Sequence, residues 1–534
     1  MRQRVTFLQD PADSIDPSKL EITSTSISTP ELTAAREERI TFGFDELPQE
    51  LYKVLKASHE LHIRWVTENV FETRAPLVAR LSPGLHLFYT PLRNEGSSEF
   101  LCPLLKKVFG DLDCISPEKS FTTLPRDRFS HSSASQFYSP LASLLDFTTY
   151  LSHKLCPSDS GSTPLDAACL SRVQALHSAS TLEIDFDTIS HALTLTAFFP
   201  PSTQSLALSK PPSSSSIKDS RMEIGIFSVE KPKEVEELSL GGFLTVVGEH
   251  SKPSPTLFSF PARHHPLPLS QTFTSGFVHP TGLHPTLEVN ITSSEPPLDD
   301  RACSLHAHLT LPRAVFVDKY QLSDPLFMAS KNLAKLHYIT SPVDLEAPAY
   351  TLTSWGSSVL LELAPPSSQY KSDSEPLTAQ HHQQWTSLIP LHLRYLPPSQ
   401  NTSGLTPLDI PYPILFWACT ADEGSKFPIN PFDRVNLGYD GLFGPRTLFY
   451  HLSPSAAVWG GKGGDAKLVN SLDVPVLDLD RSRFVEVGTA IGVLLGFGWV
   501  CWCLLGVWRG SGYQAEGNSQ RNSGGLKEED KKRK

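Results

Sequence analysis

The stretch Val487–Trp508 (VGTAIGVLLGFGWVCWCLLGVW) constrains this chain more than any other: 22 residues pass without a charged side chain. At 1.5 Å rise per residue, that length crosses a bilayer core of about 30 Å. Trp499, Trp502 and Trp508 crowd its C-terminal half, where indoles favour the membrane interface. Five glycines, Gly488, Gly492, Gly496, Gly498 and Gly506, would weaken a soluble helix. In a membrane the row Gly488, Gly492, Gly496 instead offers a face on which a second helix can pack closely. The reading is one transmembrane helix over 487–508.

The flanks predict its orientation. Before the span lie Asp473, Asp478, Asp480 and Glu486 against Arg481 and Arg483; after it, the tail 509–534 finishes in Lys531-Lys532-Arg533-Lys534. Positive charge stays cytosolic, so the tail is expected inside and the body in the lumen. Lys531 and Lys532, fourth and third from the end, resemble a dilysine signal for retrieval to the endoplasmic reticulum. Two N-glycosylation triplets, Asn290-Ile-Thr and Asn401-Thr-Ser, fall on the side assigned to the lumen. The opening MRQRVTFLQDPADSIDP has no apolar h-region and does not read as an ordinary cleaved signal peptide. A cytosolic body with a near-terminal anchor is therefore the rival topology.

The body reads as mainly β with some α. Arg4–Leu8 and Leu61–Val66 have strand character, and between them Asp45 caps a helix bearing Leu47, Leu51, Val54 and Leu55. Pro140–Leu155 is helix-like; Leu182–Phe186 and His191–Ala197 alternate as strands. These make a mixed α/β N-terminal region, 1–200. Residues 201–254 read as a Ser/Pro-rich linker with short strands, since Pro200–Ser220 has little to bury. Over 255–480, short strands at Ser304–Leu311, Val359–Leu363, Leu391–Tyr395 and Ile414–Cys419 are punctuated by Pro and Ser, as in an antiparallel β-sandwich. Ser367–His382 reads as an insertion loop.

Chemistry is sparse. The formal charge of −11 and the lack of a basic patch in the body argue against a nucleic-acid surface. Of eight cysteines, none forms a C-x-x-C pair; the first six, Cys102, Cys114, Cys156, Cys169, Cys303 and Cys419, can be paired or buried as thiols, and the spacing does not choose. Three Asp-x-Asp triplets, Asp111/Asp113, Asp185/Asp187 and Asp478/Asp480, have the spacing of metal–diphosphate sites but are equally common on exposed turns. Histidines at His264-His265, His306/His308 and His381-His382 read as surface residues; His306 and His308 share a strand face with no third ligand indicated. Gly460–Asp465 (GGKGGD) is not a P-loop, and no nucleophile elbow occurs. The expectation is a non-enzyme with no catalytic, cofactor-binding or metal residue.

Four segments carry a resemblance: LPRAVFVDKYQL (Leu311–Leu322), DLEAPAY (Asp344–Tyr350), PLHLRYLPP (Pro390–Pro398) and PYPILFWAC (Pro411–Cys419). In this order and spacing they resemble the PIG-X/PBN family, from about residue 265 to the membrane helix, with region 1–200 similar to the extension of fungal members. The resemblance implies an N-glycosylated, single-pass accessory subunit of the first glycosylphosphatidylinositol (GPI) mannosyltransferase. In such complexes the catalytic subunit is a multi-spanning protein and this subunit stabilises it; the fungal members also look like general helpers of protein folding. A lumenal chaperone-like module without a fixed enzyme partner is the alternative.

Overall fold

The computed structural model describes residues 2–92, 98–123, 135–156, 164–210, 221–340, 344–366, 384–400, 404–427, 430–434, 436–455 and 467–510. These form two compact units, one of Met1–Pro397 with Leu405–Pro475, the other of Pro398–Gly404 with Val476–Lys534.

In the first unit a large mixed sheet is built from β1 (Arg2–Gln9), β2 (Glu21–Ile22), β3 (Ser26–Gly43), β4 (Ser58–Val66), β5 (Gly84–Pro91), β6 (Thr122–Thr123), β7 (Ser135–Ser139), β8 (Thr181–Asp187), β9 (Ala192–Ser209), β10 (Arg221–Glu230), β11 (Glu237–Val246) and β12 (Ser254–Pro261). Its order is β12-β11-β10-β1-β3-β9-β8-β4-β5-β7-β6, with β2 hung on β3. The β1–β10 pair is parallel, from Arg2↔Arg221 to Gln9↔Ser228. Helices α1 (Gln49–Lys56), α2 (Leu101–Phe109), α3 (Pro117–Ser120), α4 (Leu145–Leu155) and α5 (Pro164–Ala175) follow the first strands. Leucines and phenylalanines of α1, α2 and α4 share one core with β4, β5 and β8. The helix α1 starts after Pro48, while Asp45 lies in a 3-10 turn at Phe44–Glu46. Pro48 holds the N-cap position with non-helical backbone, so the boundary falls three residues beyond the predicted aspartate.

Of the range 201–254 read as linker and short strands, residues 201–209 and 221–254 are described. Residues 201–209 are the second half of β9, and β10 and β11 are inner strands of the large sheet. Ser and Pro are tolerated there because β9 pairs β3 through two register irregularities, between Thr29/Leu32 and Ala34/Arg36.

The second half of this unit contains β13 (His264–Pro266), β14 (Thr272–Phe277), β15 (Thr286–Ile291), β16 (Cys303–Pro312), β17 (Val315–Phe316), α6 (Pro325–Ser330), β18 (Leu333–Ile339), β19 (Gly356–Leu363), β20 (Trp385–Pro390), β21 (His392–Leu393), β22 (Leu405–Pro411), β23 (Ile414–Thr420), β24 (Thr447–His451), β25 (Ser453–Pro454) and β26 (Val469–Pro475). A sheet ordered β13-β24-β23-β16-β19-β18 faces another ordered β20-β15-β14-β25. Leu305, Ala307, Leu309 and Leu311 of β16 meet Leu287, Val289 and Ile291 of β15 in a common core. Two facing sheets with interdigitated apolar rows are the sandwich expected from the alternation, here with the parallel pairs β13–β24 and β14–β25 added.

The opposite face of β16 was expected to meet water. It is covered instead by the segment around the 3-10 turn Gly438–Leu442, whose Tyr439 and Leu442 pack with Leu360, Phe416 and Phe449. The second unit carries α7 (Ser482–Gly510), a 29-residue helix.

Candidate functional site

Three of the four motif segments converge. Segment 311–322 supplies β17 and segment 390–398 supplies β21, which pair Val315↔Leu393 and Phe316↔His392. The Arg394 amide donates to the Ala314 carbonyl at 2.8 Å, while its guanidinium donates to the Ala347 carbonyl at 2.8 Å. That guanidinium also lies 4.2 Å from the Phe316 ring centre, a cation–π contact. The third segment closes the arrangement through the Ala349 amide, 3.0 Å from the Tyr395 carbonyl. His392 stacks on Phe316 at 5.3 Å and meets Gln321 Oε1 at 3.2 Å. Ala314, Val315, Val317, Leu322, Ala349 and Leu391 point into the sandwich core.

Outward, the same segments leave Tyr320, Tyr350 and Tyr395 exposed by 65%, 60% and 69%. Three exposed large aromatics on segments anchored in one core have the composition of a protein–protein contact. The fourth segment plays a different part. Leu415, Trp417 and Cys419 of β23 are core, and the Tyr412 hydroxyl donates to the Ser275 carbonyl at 2.8 Å.

The helix α7 overlaps the span Leu479–Arg509, which holds an 18-residue stretch of mean hydropathy 2.1, none of it buried, and is long and apolar enough to cross a membrane. A Cβ added at Gly488, Gly492 or Gly496 meets nothing within 4 Å, so the row these glycines form is open. Asn290 sits mid-strand in β15 between Thr274 and Thr386. Its amide donates to Glu288 Oε1 at 2.7 Å, and its carbonyl oxygen accepts from Thr386. Asn401, Lys531, Lys532, His381, His382 and the 460–465 glycine run lie outside the described residues.

None of the Asp-x-Asp triplets forms a free carboxylate pair. Asp185 pairs with Arg64 at 3.1 Å and His62 at 2.8 Å; Asp187 pairs with Arg434 at 2.9 Å. Asp113 pairs with Arg313, and Asp478 with Arg481 at 3.4 Å. The cysteines form three disulfides, Cys102–Cys114, Cys156–Cys169 and Cys303–Cys419, the last between directly opposite residues of β16 and β23.

The histidines read as surface residues are buried: His264, His265, His306 and His308 are all below a tenth exposed. The covering segment around Tyr439 packs on His264, His306 and His308, while His265 stacks on Tyr450; that segment also brings a buried ionic centre that the sequence did not signal. Asp440 Oδ2 accepts from Arg80 Nη1 at 3.2 Å, from His264 Nε2 at 3.1 Å and from the Asn436 amide at 3.1 Å. With Nε2 donating, His264 Nδ1 accepts from His451 Nε2 at 2.9 Å. Burial opposes ionisation of Asp440, but His264 and Arg80 outweigh it and hold the carboxyl below the usual range. Nearby, Asp433 binds Arg80 at 2.8 Å and Arg64 at 3.3 Å. Arg4 and Arg39 both donate to the Pro431 carbonyl, at 2.9 and 2.7 Å. Segment 431–440 thus ties strands of the large sheet to the sandwich, and no active-site arrangement is needed to account for these charges.

The comparisons agree with the motifs. Residues 280–505 match the family model PIG-X / PBN1. "Protein pbn1" of Neurospora crassa is 47% identical over 96% of this chain and 97% of its own length. Its counterpart in Emericella nidulans is 46% identical over 98% and 99%. The "Protein PBN1" of Candida albicans is 27% identical over 51% and 57%. Near-full-length similarity to the first two relatives, together with the family-model match over residues 280–505, leads to one conclusion: this chain belongs to the PIG-X / PBN1 family.

Proposed function

We propose that this protein is a non-catalytic, stabilising subunit of the endoplasmic-reticulum mannosyltransferase that adds the first mannose to GPI-anchor precursors. Its partner is the multi-spanning catalytic subunit. The observation that carries the reading is the convergence of three family motifs on one ribbon with Tyr320, Tyr350 and Tyr395 outward. The open row Gly488, Gly492, Gly496 provides a second contact, within the membrane. A single helix cannot by itself enclose a lipid-linked donor, which suits a supporting role. The body faces the lumen and the tail the cytosol. Three disulfides in the body favour an oxidising compartment, and the basic tail favours the cytosolic side. In that topology Asn290 and Asn401 carry glycans, and Lys531 and Lys532 return the protein to the endoplasmic reticulum.

The test is a Tyr350→Ser/Tyr395→Ser double variant of the full chain, introduced in place of the wild type. Co-purification of the multi-spanning subunit should fall, and unmannosylated GPI precursor should accumulate, while the variant itself stays at normal abundance. Normal co-purification and normal mannosylated precursors would remove the ribbon from the proposal. If depletion of the whole protein also leaves precursors normal but many lumenal proteins misfold, a chaperone-like module becomes the better reading.

A further inference from the structure

Across β16, β19 and β18 the sandwich brings together three side chains that the sequence does not associate. His306 of β16 is directly opposite Glu362 of β19. In the β18–β19 pair, register is interrupted between Leu336 and Tyr338, so His337 is the residue left without a cross-strand partner. A bulge of this kind re-aims a side chain, and the His337 ring reaches Glu362, with Nε2 2.6 Å from Oε2. One potential ligand atom from each of His306, His337 and Glu362 lies within 4.8 Å of the others. Bonds of 2.0–2.1 Å at tetrahedral angles require donor separations of about 3.3 Å, a small closure for two side chains that are part-exposed.

A second feature makes the cluster more than a surface contact. His306 is 1% exposed, and its Nδ1 lies 3.0 Å from the Ser304 carbonyl. A carbonyl only accepts, so Nδ1 carries the proton and Nε2 presents its lone pair. That Nε2 is buried and has no hydrogen-bond partner. An imidazole oriented by a backbone carbonyl with its second nitrogen free is how metal-binding histidines are prepared. The ring is held by Phe416, stacked at 5.7 Å, and by the Phe443 edge at 5.0 Å. His337 and Glu362 are 29% and 27% exposed and leave an entry path.

We propose that His306, His337 and Glu362 bind a divalent transition-metal ion of the zinc class, clipping the edge strand β18 to β19 and β16. His306 binds through Nε2. On binding, the proton that His337 shares with Glu362 moves to His337 Nδ1, so Nε2 and the carboxylate both turn to the ion. Two imidazoles and one carboxylate suit zinc and leave a fourth position for water.

The full-length protein in detergent, stripped with a chelator, is titrated with Zn²⁺ and separately with Co²⁺. One equivalent of Zn²⁺ should bind and raise the Tm, and Co²⁺ should develop the visible absorption of a tetrahedral site. Because His306 is packed in a core, the half-exposed positions carry the test. H337A and E362Q should each weaken Zn²⁺ binding by about tenfold or more. The exposed pair His284–His392, with Nδ1 atoms 2.9 Å apart, supplies the control, and H284A should bind as the wild type does. Failure of the wild type to bind overturns the assignment. So does undiminished binding by both H337A and E362Q, or loss in H284A alone.

Discussion

Replacing Asp440 with alanine should destabilise the body by about 3–5 kcal/mol, the usual cost of removing one partner from a buried ion pair. The carboxylate is fully buried and receives three hydrogen bonds, from Arg80, His264 and the Asn436 amide. Without it, the buried Arg80 keeps, among the described residues, Asp433 at 2.8 Å as its carboxylate partner. His264 and the Asn436 amide lose their acceptor. Urea unfolding of the full chain in detergent, followed by fluorescence of the buried Trp65, Trp355 and Trp417, reads the change. The midpoint should fall at an unchanged slope. Heating is a weaker readout: at about 2 cal/mol/K of unfolding entropy per residue, a unit of this size moves by only about 1 °C per kcal/mol. Arg80→Met should also destabilise, and the double variant should lose less than the sum by about 1–3 kcal/mol, since no unpaired arginine remains. A D440A protein within about 1 kcal/mol of wild type, or additive losses in the cycle, would refute the view that this centre joins the two halves of the body.

Acid should weaken the fold through two buried histidines. His86 and His265 are buried, each with a single backbone-carbonyl bond from Nε2, and burial lowers both to about 4. Below 6.5 the unfolded chain takes up a proton at each and the folded chain does not. Their contribution is therefore complete above pH 6.5 and lost as pH falls toward 4, by about 2 kcal/mol each at pH 5. Between pH 7 and 5 the His86→Gln/His265→Gln variant should lose about 4 kcal/mol less than the wild type, with a residual slope from the buried His306, His308 and His451; equal slopes in the two proteins would refute the account. Replacing both Cys303 and Cys419 by serine opens a link between positions 116 apart and should cost up to about 5 kcal/mol, against about 3 for the 12-residue separation of Cys102 and Cys114; denaturant titrations of the two double variants give the ranking. Gly492→Leu should leave membrane insertion intact, because the span gains hydropathy, yet reduce co-purification of the proposed multi-spanning partner. Equal recovery from both proteins would show that the glycine row is not a contact.

The four motif segments, the alternation of Ser304–Leu311 and the uncharged run 487–508 were legible because local pattern alone carries them. A membrane helix satisfies its own backbone, and a strand facing a core must place apolar residues two apart. Family membership followed from the same local signals. The Ser/Pro content of 200–209 misled, because a strand in the interior of a wide sheet is stabilised by neighbours distant in sequence, here Ser26–Ala34 of β3. Tyr320, Tyr350 and Tyr395 stood in the quoted motifs, but the meeting of their segments depends on β17 pairing β21 across a separation of 78 positions, from Val315 to Leu393. The histidines show the limit most clearly. Period-two alternation correctly put His306 and His308 on the face away from the leucines, but it contains nothing about what covers that face. Tertiary packing of the 437–443 segment buried them, and a bulge in β18 set His337 and Glu362 beside His306. Sequence determined which residues share a strand face, since the backbone repeat is local. Only the tertiary structure decided whether that face meets water, a charged partner or another imidazole, because those neighbours come from remote segments whose placement is set by the packing of the whole body.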